Sequence, residues 1–241
     1  MAKPKKKKIL VTGGMGFIGH NVVRLLQSLK HDVQVVDALT SYGVTDKEEL
    51  EYLYNQRLTK INKKTQIYKI DIADSSLDQV FDSFKPDVVI HLASFPRQAT
   101  VRANPTEAAH TMCKGLVNVL DCCARHEVAK VLYASSSMVY GNFDDAKEDD
   151  QLNPSGSYSI WKIAGEELVK EYNRNTGLDY VIVRPTAVYG PLDIGDRVVS
   201  KFLISAMRDE TLNVNGADET LDFTFVDDCA TGIVLASLGH T

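Results

Sequence analysis

The sequence predicts an α/β protein built on a doubly wound parallel sheet. Six short runs rich in β-branched residues alternate with longer helical patterns. Each run is nearly continuous in apolar residues, as strands covered on both faces are. A glycine-rich turn follows the first run directly and opens the first helical stretch. This alternation predicts a series of βαβ units with parallel strands.

The elements follow in order along the chain. Strands are predicted at KILVTG, DVQVVD, QIYKID, DVVIHLA, KVLYASS and DYVIVRP. Helices are predicted at Phe17 to Lys30, Ser76 to Phe84, Pro105 to His126 and Ser157 to Asn175. A charged helix is predicted within Tyr42 to Asn62, as an insertion after the second strand. Beyond Pro191 the pattern changes to a helix, short strand-like pieces and a turn at Asn215 and Gly216, which indicates a smaller lobe.

The composition of the chain argues against some binding partners and favours one cellular compartment. The net charge of -5 argues against nucleic acid, since phosphate binding needs a concentrated basic face. The basic run Lys3 to Lys8 and the acidic run Asn142 to Asp150 are interpreted as solvated segments. We expect no membrane span and no signal peptide, because apolar runs of sufficient length are lacking. Four cysteines without a C-x-x-C pair favour a reduced, cytoplasmic compartment and no metal site.

Glycines after the first strand have the spacing G-x-x-G-x-x-G, at Gly13, Gly16 and Gly19. In a turn between strand and helix, the first glycine makes the tight turn, the second lets the backbone approach a pyrophosphate, and the third permits close helix packing. The amino end of the helix, at Phe17 and Ile18, then presents N–H groups and a positive dipole to the phosphates. The motif therefore predicts a dinucleotide site.

Asp37, at the end of the second strand, is predicted to select the dinucleotide. Its carboxylate can accept hydrogen bonds from both hydroxyls of the adenosine ribose, whereas a 2'-phosphate would meet like charge. Ala38 and Leu39 follow it, so no arginine immediately follows to neutralise that phosphate. The sequence therefore favours NAD over NADP.

Two further strand ends fit the same groove. Asp71 is expected to take the adenine amino group and Ile72 to cover the ring, although Asp71 could instead cap the strand. Leu92, Ala93 and Ser94 end the fourth strand, and their small side chains let the nicotinamide ribose lie close. In open parallel sheets, ligands bind at the carboxyl ends of the strands.

Chemistry is predicted at Ser136, Tyr158 and Lys162. Tyr158 and Lys162 lie one turn apart on one helix face. An ammonium beside a phenol stabilises the phenolate and lowers its pKa, so that it can accept a hydroxyl proton. We expect Lys162 to reach the nicotinamide ribose as well, and Ser136 to donate to the substrate oxygen. A Y-x-x-x-K pair alone is common on helix surfaces; the serine strand end and the upstream groove favour the catalytic interpretation.

In these motifs the sequence resembles the extended short-chain dehydrogenase/reductases, in particular the NAD-dependent epimerase/dehydratase group that acts on nucleotide sugars. The matching landmarks are TGGMGFIG, HLAS, YASSSMVYG, PSGSYSIWK, VRPTAVYGP and LDFTFVDD. The resemblance implies catalytic roles for Ser136, Tyr158 and Lys162, and it places Pro185 and Val188 beside the nicotinamide. It also implies an NAD-binding Rossmann domain over residues 1–190 and a partial substrate-binding lobe over 191–241, as in a fragment or a minimal form.

The resemblance narrows the reaction through the two positions after Ser136. Family dehydratases carry an acid and a base there, whereas this chain carries Ser137 and Met138, which support no elimination. The expected reaction is therefore 4-epimerisation: C4 of the sugar is oxidised to a ketone and reduced again from the other face. Ser136, Ser137, Met138 and Tyr158 are expected to contact the sugar.

Three positions depart from the family pattern, at Met112, Ala187 and Leu221. The residues that usually stand at the last two serve the diphosphate of the sugar nucleotide. We expect exposed arginines to replace them. The candidates are Arg97, Arg102 and Arg197.

Two other functions stay open: an NAD(P)-dependent sugar-nucleotide reductase, and a truncated dinucleotide-binding module without catalysis. The resemblance also implies a homodimer, with Pro105 to His126 and Ser157 to Asn175 at the interface.

Overall fold

The computed structural model describes residues 6–40, 46–142, 145–214, 216 and 220–239. The described residues contain one parallel sheet with the strand order β3-β2-β1-β4-β5-β6. The strands are β1 (Lys8–Thr12), β2 (Asp32–Val36), β3 (Ile67–Tyr68), β4 (Val88–His91), β5 (Lys130–Ala134) and β6 (Asp179–Val183). Each lies within one of the predicted apolar runs, so the predicted parallel sheet is confirmed.

Helices connect the strands and continue beyond the last one. They are α1 (Phe17–Ser28), α2 (Lys47–Leu58), α3 (Leu77–Phe84), α4 (Gln98–Ala103), α5 (Pro105–Ala109), α6 (Leu116–Arg125), α7 (Ser157–Thr176), α8 (Val198–Met207) and α9 (Val226–Leu238). A π-helical turn, His110–Gly115, joins α5 to α6, and a 3₁₀ helix, Ser137–Tyr140, follows β5.

Alternate residues of the strands enter two separate cores, one on each face of the sheet. In β1, Ile9 and Val11 pack with α1 and α9, whereas Leu10 packs with α3, α6 and α7. In β5, Leu132 belongs to the first core and Val131 to the second. Because side chains alternate along a strand, continuous apolar runs are what a sheet covered on both faces requires.

The predicted helices are confirmed with small changes. The stretch expected as one helix from Pro105 to His126 is divided by the π-helical turn, and α4 was not predicted. Gly115 ends that turn and packs closely against Ile72. A Cβ at Gly115 would lie only 2.6 Å from Ile72 Cδ1, so the close contact requires glycine there. The charged insertion forms α2, although Tyr42 to Thr45 lie outside the described residues.

The chain after β6 differs more from expectation. The prediction of short strands between α8 and α9 was wrong for the residues described there, which form only a single bridge between Tyr189 and Phe225. Asn215 of the predicted turn lies outside them. Helix α9 packs on α1 through Cys229, Ala230 and Ile233, so this part of the range expected for the lobe contributes to the core of the sheet.

Two features are absent from the described residues. None of their helices is long and apolar enough to cross a membrane. They also hold no cluster of three or more His, Cys, Asp or Glu side chains that could bind a metal ion.

Replacement of Gly19 by alanine is expected to destabilise the fold. The new Cβ would lie 2.1 Å from the Gly13 carbonyl oxygen and 2.8 Å from Gly14 Cα, and neither backbone atom can yield without moving α1. Overpacking of this kind costs about 1–3 kcal/mol. The matched control is Gly232→Ala in α9, where a Cβ meets nothing within 4 Å, and where alanine favours the helix by up to about 1 kcal/mol. Urea denaturation compares the two; equal stabilities would contradict the proposed close packing.

Candidate active site

The glycine turn brings the ends of three strands together. Gly13 has φ +70°, and its N–H donates to the Val36 carbonyl at 2.8 Å. A Cβ at Gly13 would lie 2.6 Å from Ala93 N, after β4. Both the backbone conformation and the lack of space therefore require glycine at this position.

Gly16 is the N-cap residue of α1 and lies on the open side of the turn. Its N–H donates to the Gly13 carbonyl at 3.0 Å, and a Cβ there would meet Gly13 O alone, at 3.1 Å. Phe17 and Ile18 form the first turn of α1, with Ile18 packed against the core that α1 and α9 share. The N–H groups of this helix end have no carbonyl partner one turn earlier, which suits them to an anion.

A cavity lies at this edge of the sheet, and most of the predicted cofactor residues line it. The lining residues are Gly13, Gly16, Asp37, Ala38, Thr40, Tyr54, Asp71, Ile72, Leu92, Ala93 and Ser94. The sequence did not predict Ala38, Thr40 or Tyr54 as lining residues. Tyr54 comes from α2, and no motif in the sequence indicates that this insertion folds back over the cavity.

Backbone N–H groups fix the carboxylate of Asp37. Its Oδ2 accepts from Met15 N and its Oδ1 from Leu39 N, both at 2.9 Å. Burial raises the pKa of this carboxyl group, while the two N–H groups and the charge of Arg57 oppose that change. An ionised carboxylate offers about four acceptor positions. Two therefore remain for ribose hydroxyls.

Arg57 is a buried cation near Asp37 that sequence analysis did not identify. Its side chain is 4% exposed and donates to Met15 O at 3.1 Å and to Leu192 O at 2.8 Å. The sequence rules out an arginine directly after Asp37, but α2 brings one close from another part of the chain.

Asp71 makes the capping interaction considered for it, and its contact with the adenine amino group stays a prediction. Its Oδ1 accepts from Ala73 N at 2.8 Å, which is the capping interaction, and the residue also lines the cavity. Its Oδ2 lies 3.8 Å from His110 Nε2, at the start of the π-helical turn. The π-helical turn therefore approaches the adenine end of the predicted groove.

Ser136, Tyr158 and Lys162 meet beyond β5. Ser136 Oγ accepts from Met138 N at 3.3 Å and lies close enough to the Tyr158 hydroxyl to lower its pKa. Lys162 Nζ donates to Ala134 O at 2.7 Å and lies 5.7 Å from the centre of the Tyr158 ring. Tyr158 N donates to Gln98 Oε1 at 2.8 Å, which fixes the first turn of α7. The structure thus brings the three predicted catalytic residues together.

Burial disfavours both charged forms that the predicted catalysis needs, the Lys162 ammonium and the Tyr158 phenolate. Burial lowers the pKa of Lys162 to about 7, and the nearby charge of Glu166 opposes that change. Burial also raises the pKa of Tyr158, and the nearby Ser136 hydroxyl and the charge of Arg197 oppose that change. The state of the pair therefore depends on the charged groups around it.

The predicted nicotinamide and sugar residues follow strands β5 and β6. Pro185 O accepts from Ser137 N at 3.1 Å, which joins the strand ends of β5 and β6. Val188 packs against the core on the α1 side. Met138 projects outward and is 38% exposed.

Of the three candidate substrate arginines, Arg102 is exposed on α4, whereas Arg97 and Arg197 lie in different environments. Both terminal nitrogens of Arg97 contact the Asp196 carboxylate at 2.5 Å, while its buried Nε has no hydrogen-bond partner among the described residues. Arg197 is the N-cap residue of α8, and its charge opposes the rise in the pKa of Tyr158. Leu221, at the position where the family usually carries arginine, is 56% exposed.

The cavity combines a glycine turn with the carboxyl ends of parallel strands, and a serine, a tyrosine and a lysine meet beyond the neighbouring strand β5. These features define a dinucleotide-dependent enzyme of the short-chain dehydrogenase/reductase class. Residues 9–239 match the model of the NAD dependent epimerase/dehydratase family, and the chain belongs to that family.

Relatives within the family include both epimerases and dehydratases. The UDP-glucuronate 4-epimerase of Thermodesulfobacterium geofontis is 32% identical over 96% of this chain and 72% of its own length. The Bacillus cereus UDP-glucuronic acid 4-epimerase, solved with UDP-glucuronic acid and NAD, is similar with a TM-score of 0.85 and 29% identity, over 95% of this chain and 72% of that one. Streptomyces venezuelae DesIV, a dTDP-glucose 4,6-dehydratase solved with NAD, reaches a TM-score of 0.83 at 26% identity, over 96% and 72%.

The cofactor of the family is NAD, and the cavity fits it. The glycine turn is free of side chains where a pyrophosphate would approach, and Asp37 keeps acceptor positions where a ribose would lie. These residues have the chemistry that each part of the dinucleotide requires.

Replacement of Asp37 by asparagine is expected to reduce the preference for NAD over NADP. We expect the wild type to prefer NAD at least tenfold, about 1.4 kcal/mol, because a 2'-phosphate would meet the carboxylate. Asparagine removes that charge and one acceptor oxygen. The matched control is Asp32→Asn at the opposite end of the same strand, β2. Titration of both cofactors measures the ratio; an unchanged ratio in Asp37→Asn would exclude Asp37 as the selecting residue.

Proposed function

We propose that this protein is an NAD-dependent nucleotide-sugar 4-epimerase that works through a 4-keto intermediate. The observation that carries the proposal is the meeting of Ser136, Tyr158 and Lys162 beyond β5, with Ser137 and Met138 after the serine. Strand β5 pairs with β4, and the residues that follow β4 line the cofactor cavity. The relatives named above include epimerases that act on C4 of a UDP sugar.

The residues supply the proton transfers of this reaction. Tyr158, as phenolate, accepts the proton of the C4 hydroxyl, and Ser136 donates to the oxygen as it becomes a carbonyl. Lys162 stabilises the phenolate. The glycine turn and Asp37 would hold NAD, which would supply the hydride acceptor and donor for C4. On return to the other face, Tyr158 gives the proton back to the oxygen, so protons and electrons balance over the cycle.

Dehydration requires two further groups that this chain does not provide after Ser136. Expulsion of the C6 hydroxyl needs an acid, and removal of the C5 proton needs a base. The side chains of Ser137 and Met138 supply neither at neutral pH. This difference supports epimerisation over dehydration, although dehydratases are also relatives.

Incubation of the purified protein with NAD and a panel of UDP, dTDP and GDP sugars tests the reaction. The expected product is the C4 epimer without net formation of NADH, and with no 4-keto-6-deoxy sugar. Stoichiometric consumption of reduced cofactor would instead indicate a reductase. A dehydrated product would overturn the assignment. If NAD binds and no sugar is converted, the chain is a dinucleotide-binding module.

Replacement of Tyr158 by phenylalanine tests the proposed base. The phenolic oxygen is lost while the ring packing persists, so activity should fall by about 10²- to 10⁴-fold, with NAD affinity nearly unchanged. Tyr172→Phe on the same helix is the control, because that hydroxyl bonds to Asp121 outside the site. Lys162→Met should weaken both activity and NAD binding. Full activity in Tyr158→Phe would refute this mechanism.

A further inference from the structure

Glu166 is a buried carboxylate that the mechanism above does not use. It lies on α7 one turn beyond Lys162, and its side chain is fully buried. A buried carboxylate is costly unless it is paired. Its partners therefore indicate what it does.

Arg184, directly after β6, binds both oxygens of Glu166. Its Nε donates to Oε1 at 2.9 Å and its Nη2 to Oε2 at 2.7 Å. Its Nη1 donates to the Tyr140 hydroxyl at 2.6 Å and to the Glu148 carbonyl at 2.9 Å. The pair thus fixes α7 to β6 and to the segment that follows Ser136.

Stability alone is a weak reason for such a pair. Well-packed apolar residues often replace a buried ion pair with no loss of stability, because desolvation offsets much of the attraction. Here the carboxylate end of the pair lies on the helix face of Lys162. The negative charge of Glu166 acts on Lys162, which points to a role for the pair besides stability.

Groups from three elements face Lys162. Tyr133 of β5 lies with its ring centre 5.3 Å from Nζ, and Tyr158 of α7 at 5.7 Å. His91 of β4 interacts with the Lys162 charge, and burial lowers its pKa to about 3, so it is neutral. Glu166 is the carboxylate that acts on Lys162 among the described residues.

We propose that Glu166, held in place by Arg184, is a positioning residue that keeps the Lys162 ammonium charged in its buried site. Tyr158 and Ala134 O orient the ammonium, but neither supplies a fixed negative charge. The role in catalysis rests on the proposed function, since a charged Lys162 is needed there to stabilise the Tyr158 phenolate. The effect on Lys162 itself does not depend on any substrate.

Titration of Lys162 by NMR tests the proposal without activity. The lysine side chains are labelled with ¹³C, and the Lys162 signal is identified by its loss in Lys162→Met. In Glu166→Gln the midpoint should fall by about one pH unit or more, because an opposite charge that favoured the ammonium is lost. Glu167→Gln is the matched control, since that exposed neighbour pairs with Lys170. An unchanged Lys162 midpoint in folded Glu166→Gln would overturn the proposal.

Two further variants separate charge from packing. Glu166→Asp keeps the charge and should retain most of the wild-type midpoint. The double variant Glu166→Gln with Arg184→Met leaves no unpaired buried cation; its midpoint should fall in the same direction, and it serves if the single variant does not fold. A wild-type midpoint in the folded double variant would also contradict the proposal.

The pH profile then tests the consequence for catalysis. The alkaline limb of kcat/KM should move to lower pH in Glu166→Gln, with kcat reduced more than substrate affinity. If no nucleotide sugar is converted, the proposed function fails while the NMR titration still decides the role of Glu166. A shifted Lys162 midpoint with an unmoved alkaline limb would remove the catalytic part of the proposal.

Discussion

The close backbone contact between the turn at Gly13 and the end of β4 determines the geometry of the whole site. A Cβ at Gly13 would overlap Ala93 N, while Gly13 N binds Val36 O and Leu92 N binds Thr12 O at 2.8 and 3.0 Å. These contacts bring the carboxyl ends of β1, β2 and β4 together. The amino end of α1 and the Asp37 carboxylate consequently face one cavity.

The two ends of the site handle charge in different ways. At the cofactor end, Asp37 is satisfied by backbone N–H groups, which come with the fold and cannot titrate. At the end with Ser136, Lys162 is buried and Tyr158 is half-buried, and nearby side chains affect the pKa values of both. Fixed dipoles suit binding, where one state is needed. Titratable neighbours suit a group that exchanges a proton, which is the role proposed for Tyr158.

Sequence analysis succeeded where one short segment fixes the geometry. The turn from Gly13 to Gly19, the strand end at Asp37 and the helical pair Tyr158 and Lys162 each lie within a single strand, turn or helix, so their spacing alone predicts their neighbours. The alternation of apolar runs likewise predicts the parallel sheet, because both faces must be covered.

The residues that were missed come from contacts between distant segments. Tyr54 reaches the cavity, and Arg57 reaches Met15 O near Asp37, only because α2 packs there. The pattern of a charged helix does not specify where it packs. Arg184 and Glu166 pair across separate elements in the same way. The short strands expected after α8 also depend on partners, since β propensity becomes a strand only beside another strand.

One segment after β6 connects the two ends of the site. Arg57 binds Leu192 O, and Glu49 Oε1 accepts from Gly195 N at 2.6 Å, both from α2 on the cofactor side. On the other side, Asp196 holds Arg97. Arg197 follows directly and acts on Tyr158. Because residues 192–197 are anchored by α2 at one end and carry a cation that acts on Tyr158 at the other, the packing of the cofactor side helps to set the charge around the proposed catalytic base.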